Sequence, residues 1–361
     1  MKIRNEIQHK MLVDRVIEQN YFLLSTFYYL KKSYYLTILI LLSITIGSCY
    51  SIESDCDDSG DFYWERTSGQ PSNIHLITVA SNGDIWSVSY YDGALLATVY
   101  LSTNNGNTWV EKNNSFINGM VTSIGVSPKN GYIFVASDRQ GLLRSTDRGE
   151  TWVRVANRIV YDIIFTPTGE IYFATQFKNV FHSSDNGDTW IEKNNRLLSW
   201  QNITSLAIGL DGTLYEGTTG GVYRSTDGGN NWLPTTSYTT AILPINDITV
   251  SDDGSVFVAT QNFGVLKSTN RGSTWTEANN GLANQYVIRI IFNPITKDIF
   301  VSGHSYSSNV YRSTSAGKNW ELKNRGLPEP NTTFIWDFAL NPNTGQMYAA
   351  TGDGVYRSRG R

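Results

Sequence analysis

Short apolar runs of five to seven residues, rich in β-branched and aromatic side chains, recur along most of the chain between glycine, aspartate and asparagine. One stretch shows the unit: Ile203-Thr204-Ser205-Leu206-Ala207-Ile208, then Gly212-Thr213-Leu214-Tyr215-Glu216-Gly217, then Gly221-Val222-Tyr223-Arg224-Ser225. Runs of this length bounded by turn residues predict strands joined by tight turns. A further run begins at a tryptophan, which makes four strands per unit. The tryptophans give the period: Trp64, Trp109, Trp152, Trp190, Trp232, Trp275 and Trp320 are spaced by 45, 43, 38, 42, 43 and 45 residues. Four short strands at such a period predict the blade of a β-propeller.

Ahead of six of these tryptophans stands one pattern, S-x-D-x-G-x-T-W. Ser145-Thr146-Asp147-Arg148-Gly149-Glu150-Thr151-Trp152 is a full copy, and Asn104, Asn270 and Ser315 replace the aspartate in three others. An Asp or Asn side chain can accept hydrogen bonds from the amides of its own turn, glycine supplies positive φ, and the hydroxyls tie the hairpin ends. The tryptophan covers the turn with a large apolar face. The same acidic residue recurs in every repeat while an active site is singular, so the motif reads as a hairpin brace. The pattern resembles the Asp-box of the bacterial neuraminidase (BNR) repeat over about 300 of the 361 residues.

The ends of the chain set the number of blades. Phe334 to Leu340, Gln346 to Thr351 and Val355 to Ser358 are three strands of a last unit that stops where a seventh box would begin, and Tyr63-Trp64-Glu65-Arg66 is an orphan fourth strand. Joining them closes a ring with no unpaired edge. The expected architecture is all-β, a seven-bladed propeller of four-stranded antiparallel blades over residues 62–361, its last blade completed by the N-terminal strand.

Composition narrows the chemistry. A net charge of −3 argues against a nucleic-acid partner. Two cysteines and four histidines at scattered positions give no metal-ligand spacing, and no cofactor is expected. Within residues 1–48, Lys31 and Lys32 precede an apolar stretch from Tyr34 to Ile46 and the small residues Gly47-Ser48, the layout of a secretion signal. Ile46-Gly47-Ser48-Cys49 resembles a bacterial lipobox, which implies a lipid on Cys49 and an outer-membrane or cell-surface lipoprotein. A membrane span, or a cleaved signal with a Cys49 to Cys56 disulfide in a periplasmic protein, remains open. Residues 49–61 carry Glu53, Asp55, Asp57, Asp58 and Asp61 with little apolar surface, and read as a tether.

Aligning the first strands places Leu76, Ser123, Asp162, Ser205, Asp247, Arg289 and Asp337 in one column around the channel, beside His75, Thr122, Tyr161, Thr204, Asn246, Ile288 and Trp336. Asp162, Asp247, Asp337 and Arg289 are the candidate catalytic set, since two carboxylates are the minimum for glycoside hydrolysis. Solvated lining with Arg289 neutralising a neighbour is the other reading. Loops expected on the same face carry Tyr90, Tyr91, Phe177, Trp200, Tyr238, Phe263 and Tyr306; with Trp336, they are candidate contacts for protein or glycan. A basic residue precedes most boxes, as Arg144, Arg224, Lys267, Arg312 and Arg357, and reads as structural pairing or a solvated face.

The resemblance implies three functional classes. Sialidases share the box, but no F/Y-R-I-P element is present and seven blades exceed their six. Xyloglucanases of the two-propeller kind hold their site between propellers, and only one is expected here. Non-catalytic propellers, as in photosystem II assembly factors and sortilin-type receptors, fit best. The expectation is a monomeric, lipid-anchored platform for a protein or extracellular glycan, with glycoside hydrolysis as the alternative.

Overall fold

The structure, a computed structural model, describes residues 61–360 apart from 70–71, 91–95, 113–116, 176–178, 196–201, 236–242, 304–308 and 330–333. The described residues are all β, with twenty-eight strands in seven four-stranded antiparallel sheets arranged as the blades of a propeller. Blade one runs through Ile74–Val79, Ile85–Tyr90, Ala97–Ser102 and Val110–Glu111. Blades two to six begin at Val121, Val160, Ile203, Ile245 and Val287. Blade seven takes Ile335–Leu340, Met347–Thr351 and Gly354–Arg359 from the C-terminal end and Tyr63–Arg66 from the N-terminal end, paired Tyr63 to Arg359 and Arg66 to Tyr356. The closure expected from the orphan strand is present.

The core lies between blades. Second strands such as Ile171–Thr175 and Val256–Thr260 are buried along their whole length, because both faces of each sheet are covered by neighbours. Phe257, Ala259 and Val265 of blade five accordingly pack with Val287, Ile290 and Trp320 of blade six. The outer strand is shorter than the sequence suggests. In five blades it has two residues, and it starts after the tryptophan rather than at it, except in blade seven, where Trp64 lies inside Tyr63–Arg66. Short, exposed outer strands leave little edge for pairing with another chain.

All six boxes form the expected turn. In blade two, Asp147 Oδ1 accepts from Thr151 N at 2.9 Å and from Ser145 Oγ at 2.8 Å, and Ser145 Oγ accepts from Gly149 N at 2.8 Å. Asn104 and Asn270 accept from Thr108 N and Thr274 N at 2.9 and 2.8 Å, and Ser315 Oγ takes Asn319 N at 3.0 Å. The position therefore requires an oxygen acceptor and not a charge, which is why it tolerates drift. The residue before each box glycine is left-handed in all six, for example Asn186 at φ 62° and Gly228 at φ 68°.

The tryptophans also join blades. Trp152, Trp190, Trp232 and Trp320 donate Nε1–H to the carbonyls of Lys112, Val155, Lys193 and Ala278 in the preceding blade, at 3.1, 3.1, 2.7 and 2.6 Å. Trp64 does the same to Lys323 O at 2.9 Å, and its indole is almost fully buried. Removing it empties the seam between blades six and seven. Trp64→Ala should lower stability by about 3 to 5 kcal/mol, the usual loss for a buried large aromatic. Urea unfolding followed by far-UV circular dichroism checks this, and a loss below about 1 kcal/mol, the range of surface substitutions, would mean that blade seven does not hold the ring shut.

Candidate functional site

Every first strand carries a β-bulge at the same place. Register slips between Ile74 and Leu76, Val121 and Ser123, Val160 and Asp162, Ile203 and Ser205, Ile245 and Asp247, Val287 and Arg289, and Ile335 and Asp337. The extra residue in each is the companion of the channel column: His75, Thr122, Tyr161, Thr204, Asn246, Ile288 or Trp336. A bulge re-aims side chains and strengthens twist. Here successive side chains reach the adjoining blade. Thr122 Oγ1 donates to Val160 O, and Asn246 Nδ2 donates to Val287 O at 2.7 Å. The following residue in the column reaches amides.

Asp162 accepts from Leu206 N of blade four at 2.8 Å on Oδ2, and from its own Ile163 N at 2.8 Å and Ser123 Oγ at 3.4 Å on Oδ1. Asp247 repeats this with Ile290 N at 2.9 Å, Ile248 N at 2.8 Å and Ser205 Oγ at 2.9 Å. Asp337 takes Ile77 N of blade one at 3.1 Å, while Arg289 lies 3.6 Å from its other oxygen and donates Nε–H to Trp336 O at 3.0 Å. The structure thus brings Asp162, Asp247, Asp337 and Arg289 into one channel belt, with carboxylates on blades three, five and seven and donors on blades two, four and six. Each carboxylate bonds a backbone amide on the inner edge of the next blade. Among the described residues, no cluster of three or more His, Cys, Asp or Glu side chains is placed to hold a metal.

Burial dominates the belt's electrostatics. It pushes Asp162 up to about 7, aided by Asp247 and opposed by the Leu206 and Ile163 amides. It pushes Asp337 up to about 6 against the pull of Arg289, and raises Asp247 as well. Burial also acts against the Arg289 charge, but Asp337, Asp247 and Asp162 together outweigh it and raise its pKa. The side chains of Asp337 and Arg289 remain 19% and 30% exposed to the channel, so water screens part of this coupling.

At the mouth, Trp336 packs against His75 and Phe334 with ring centroids 4.8 and 5.2 Å apart. Phe334, Leu96, Met120, Ile159 and Tyr161 are exposed at the corresponding strand starts of blades seven, one, two and three. Tyr161 and Trp336 are bulge residues; the others precede a first strand or, as Leu96 does, a third. Sequence alignment placed Tyr161 beside the channel column, but the patch was missed because isolated exposed apolar residues look like loop noise. The bulge, recurring before the column, is the signal that could have found it. Phe263 is half-buried against the core cluster that contains Ile245, Ile248, Leu266 and Trp275, with its amide bound to Thr260 Oγ1 at 2.9 Å. Tyr91, Phe177, Trp200, Tyr238, Tyr306, Cys49 and the side chain of Tyr90 lie outside the described residues.

The basic residues before the boxes tie blades together. Arg144, Arg224, Lys267 and Arg357 donate to the carbonyls of Asn186, Arg271, Ala316 and Asn105 in the next blade's box, at 2.7, 2.6, 3.1 and 2.8 Å. Arg312, which precedes the box of blade six, pairs instead with Asp298 at 2.7 and 3.0 Å.

Comparison with known proteins supports the fold. The family described as the DUF6242 beta propeller domain matches residues 58–198. No curated protein matches the chain in sequence. Among solved structures, YCF48 bound to D1 peptide is similar at a TM-score of 0.63 and 14% identity, covering 83% of this chain and 95% of that one. A streptogramin B lyase gives 0.66 and 16% identity over 83% and 98%. An ancestral GH74 enzyme gives 0.67 and 20% identity over 82% of this chain, which spans only 46% of that enzyme. Two of these neighbours are described as enzymes and one as bound to a peptide, and at this identity they share the propeller alone.

The belt and the boxes respond to pH in opposite senses. Hydrogen bonds from Thr151, Thr189 and Asn231 hold Asp147, Asp185 and Asp227 at about 2, so their contribution is present above the unfolded value of 3.8 and is lost as pH falls toward 2. Asp162 and Asp337 are raised above the same 3.8, so charging them costs more in the folded state and stability falls as pH rises through about 6 and 7. The melting temperature should peak near about pH 4 to 5. In Asp162→Asn/Asp337→Asn the decline on the alkaline side should flatten. A melting temperature that climbs steadily to about pH 8 in the wild type would contradict this balance.

Proposed function

We propose that this propeller is an exported, lipid-anchored, non-catalytic platform that holds a peptide segment of a partner protein across the channel mouth. The observation that carries the reading is the commitment of the belt carboxylates to backbone amides of the next blade. A carboxylate held this way braces the ring, whereas a general acid or nucleophile needs an oxygen directed at substrate. The exposed mouth residues combine aliphatic Leu96, Met120 and Ile159 with aromatic Tyr161 and Phe334. Stacking on sugar rings needs flat faces only; aliphatic side chains between aromatic ones suit peptide side chains. The resemblance to a peptide-bound propeller agrees with this, and the GH74 neighbour keeps glycan recognition or hydrolysis as the second reading.

Tyr161→Ala and Phe334→Ala should each weaken binders selected from a displayed peptide library by about tenfold, near 1.4 kcal/mol, without changing the melting temperature. Screening fluorogenic sialosides and β-glucosides decides the alternative. Turnover that disappears in Asp162→Asn, Asp247→Asn or Asp337→Asn would replace the platform with a glycosidase.

The anchor is a separate part of the proposal and rests on Lys31, Lys32, the apolar run and Gly47-Ser48-Cys49. Labelled palmitate should enter the wild type in a bacterial host and be absent from Cys49→Ser. Label retained by the variant would remove lipidation from the reading and leave the ring untouched.

A further inference from the structure

On each third strand the residue before the serine stands opposite a second-strand aromatic, at the seam with the next blade. Arg144 pairs with Phe134, Arg224 with Tyr215, Lys267 with Phe257, Arg312 with Phe300 and Arg357 with Tyr348. Blade one has Leu101 opposite Trp86, and blade three has His182 opposite Tyr172. Arginine and lysine keep their charge across the physiological range, and leucine has none. His182 is therefore the one group at this position whose charge can change near neutral pH.

Four of the cations reach the carbonyl of a left-handed residue in the next box: Asn105, Asn186, Arg271 or Ala316, at φ 58°, 62°, 56° and 54°. At the seam between blades three and four that residue is Gly228, at φ 68°, where a Cβ would lie 3.5 Å from the Tyr172 hydroxyl. The Tyr172 and His182 rings pack with centroids 4.6 Å apart and 32° between their planes. The imidazole, shorter than a guanidinium or aminobutyl chain, does not clamp the turn. Its Nε2 is buried without a hydrogen-bond partner, and Glu170 Oε1 lies 3.7 Å away. Other bonds still tie the box to blade three: Lys193 Nζ to Asn230 Oδ1 at 2.6 Å, and Trp232 N to Asn195 O at 3.1 Å. Any opening is thus local to the turn.

The charged and titratable surroundings of His182 come from three places. Glu170 and Tyr172 belong to the second strand and its approach, Asp185 to the blade's own box, and Lys193 to the residue after the fourth strand. From blade four, Asp227 is turned onto its own Ser225 and Asn231. Burial pulls the imidazole below its ordinary 6.5; Glu170 and Asp185 oppose this, Lys193 adds to it, and burial prevails. The closed seam therefore favours the neutral ring, and this contribution is present above 6.5 and lost as pH falls below it.

We propose that His182 is an acid-sensitive latch: on mild acidification its imidazolium draws water into the seam between blades three and four and releases the box at residues 225–232. The clamped seams, with permanent cations, stay shut. Asp162 stands at the channel end of the same seam and responds in the opposite sense, because its protonation below about 7 favours the folded ring. The latch lies on the face opposite the mouth and stands independently of the peptide platform proposed above.

Hydrogen exchange of the full chain, read by mass spectrometry at about pH 7.5 and about pH 5, tests the latch. The boxes at residues 145–152 and 268–275 serve as internal references. After correction for intrinsic rates, protection of residues 225–232 should fall several-fold at the lower pH relative to those references. The fall should be absent in His182→Gln, which keeps a neutral polar side chain, and should persist in Asp162→Asn. Unchanged relative protection in the wild type overturns the proposal, as does a fall of the same size in His182→Gln. Disappearance of the fall in Asp162→Asn would assign it to the belt and overturn the latch as well.

Discussion

A ring of sheets poses one problem at its centre. Each inner strand is an edge whose outward backbone groups face a narrow, partly dry channel, and a buried amide or carbonyl left unpaired costs about as much as a lost hydrogen bond. The bulge answers this by aiming two successive side chains at the next blade. Asp162, Asp247 and Asp337 take its amides, and Thr122, Asn246 and Arg289 take its carbonyls. The rest of the molecule depends on that stitching, because the apolar cores between blades form only when neighbouring sheets are held in register.

The same constraint separates charge from catalysis. Three carboxylates and a guanidinium converging in a channel resemble a reaction centre when seen as a list of residue types. Their hydrogen bonds identify a brace whose charges are tuned by burial and by one another. The exposed apolar residues at the strand starts, from Phe334 to Tyr161, lie outside the carboxylate belt. Function can change there by substitution without opening the ring.

The fold was legible because it repeats. Seven tryptophans at near-constant spacing, six boxes and two incomplete ends determine strand count, blade count and closure before any contact is known. The belt was half legible: alignment put the right residues in one column, but no pattern in the sequence reveals that Leu206 N or Ile290 N is the partner, since those bonds span blades. The mouth was least legible. A bulge leaves no composition signature, and exposed Met120 or Ile159 cannot be distinguished from core residues in a run of apolar letters. The basic residue before most boxes was visible as a repeat, but the acceptor that four of the five cations use, a left-handed carbonyl in the next blade, exists only after the ring assembles.

The split blade also bears on how the chain is made. Glu65 is among the first residues of the ring to be synthesised, and its partner Arg359 follows 294 positions later. Six blades can build on one another as they emerge, but the Trp64 strand has no partner until Gly354–Arg359 is made. The closing step therefore joins the most distant contacts in the chain, the kind that slows folding and leaves an apolar strand exposed while it waits. An organism making this protein must protect one short segment, Phe62 to Arg66, until the strand Gly354–Arg359 has emerged.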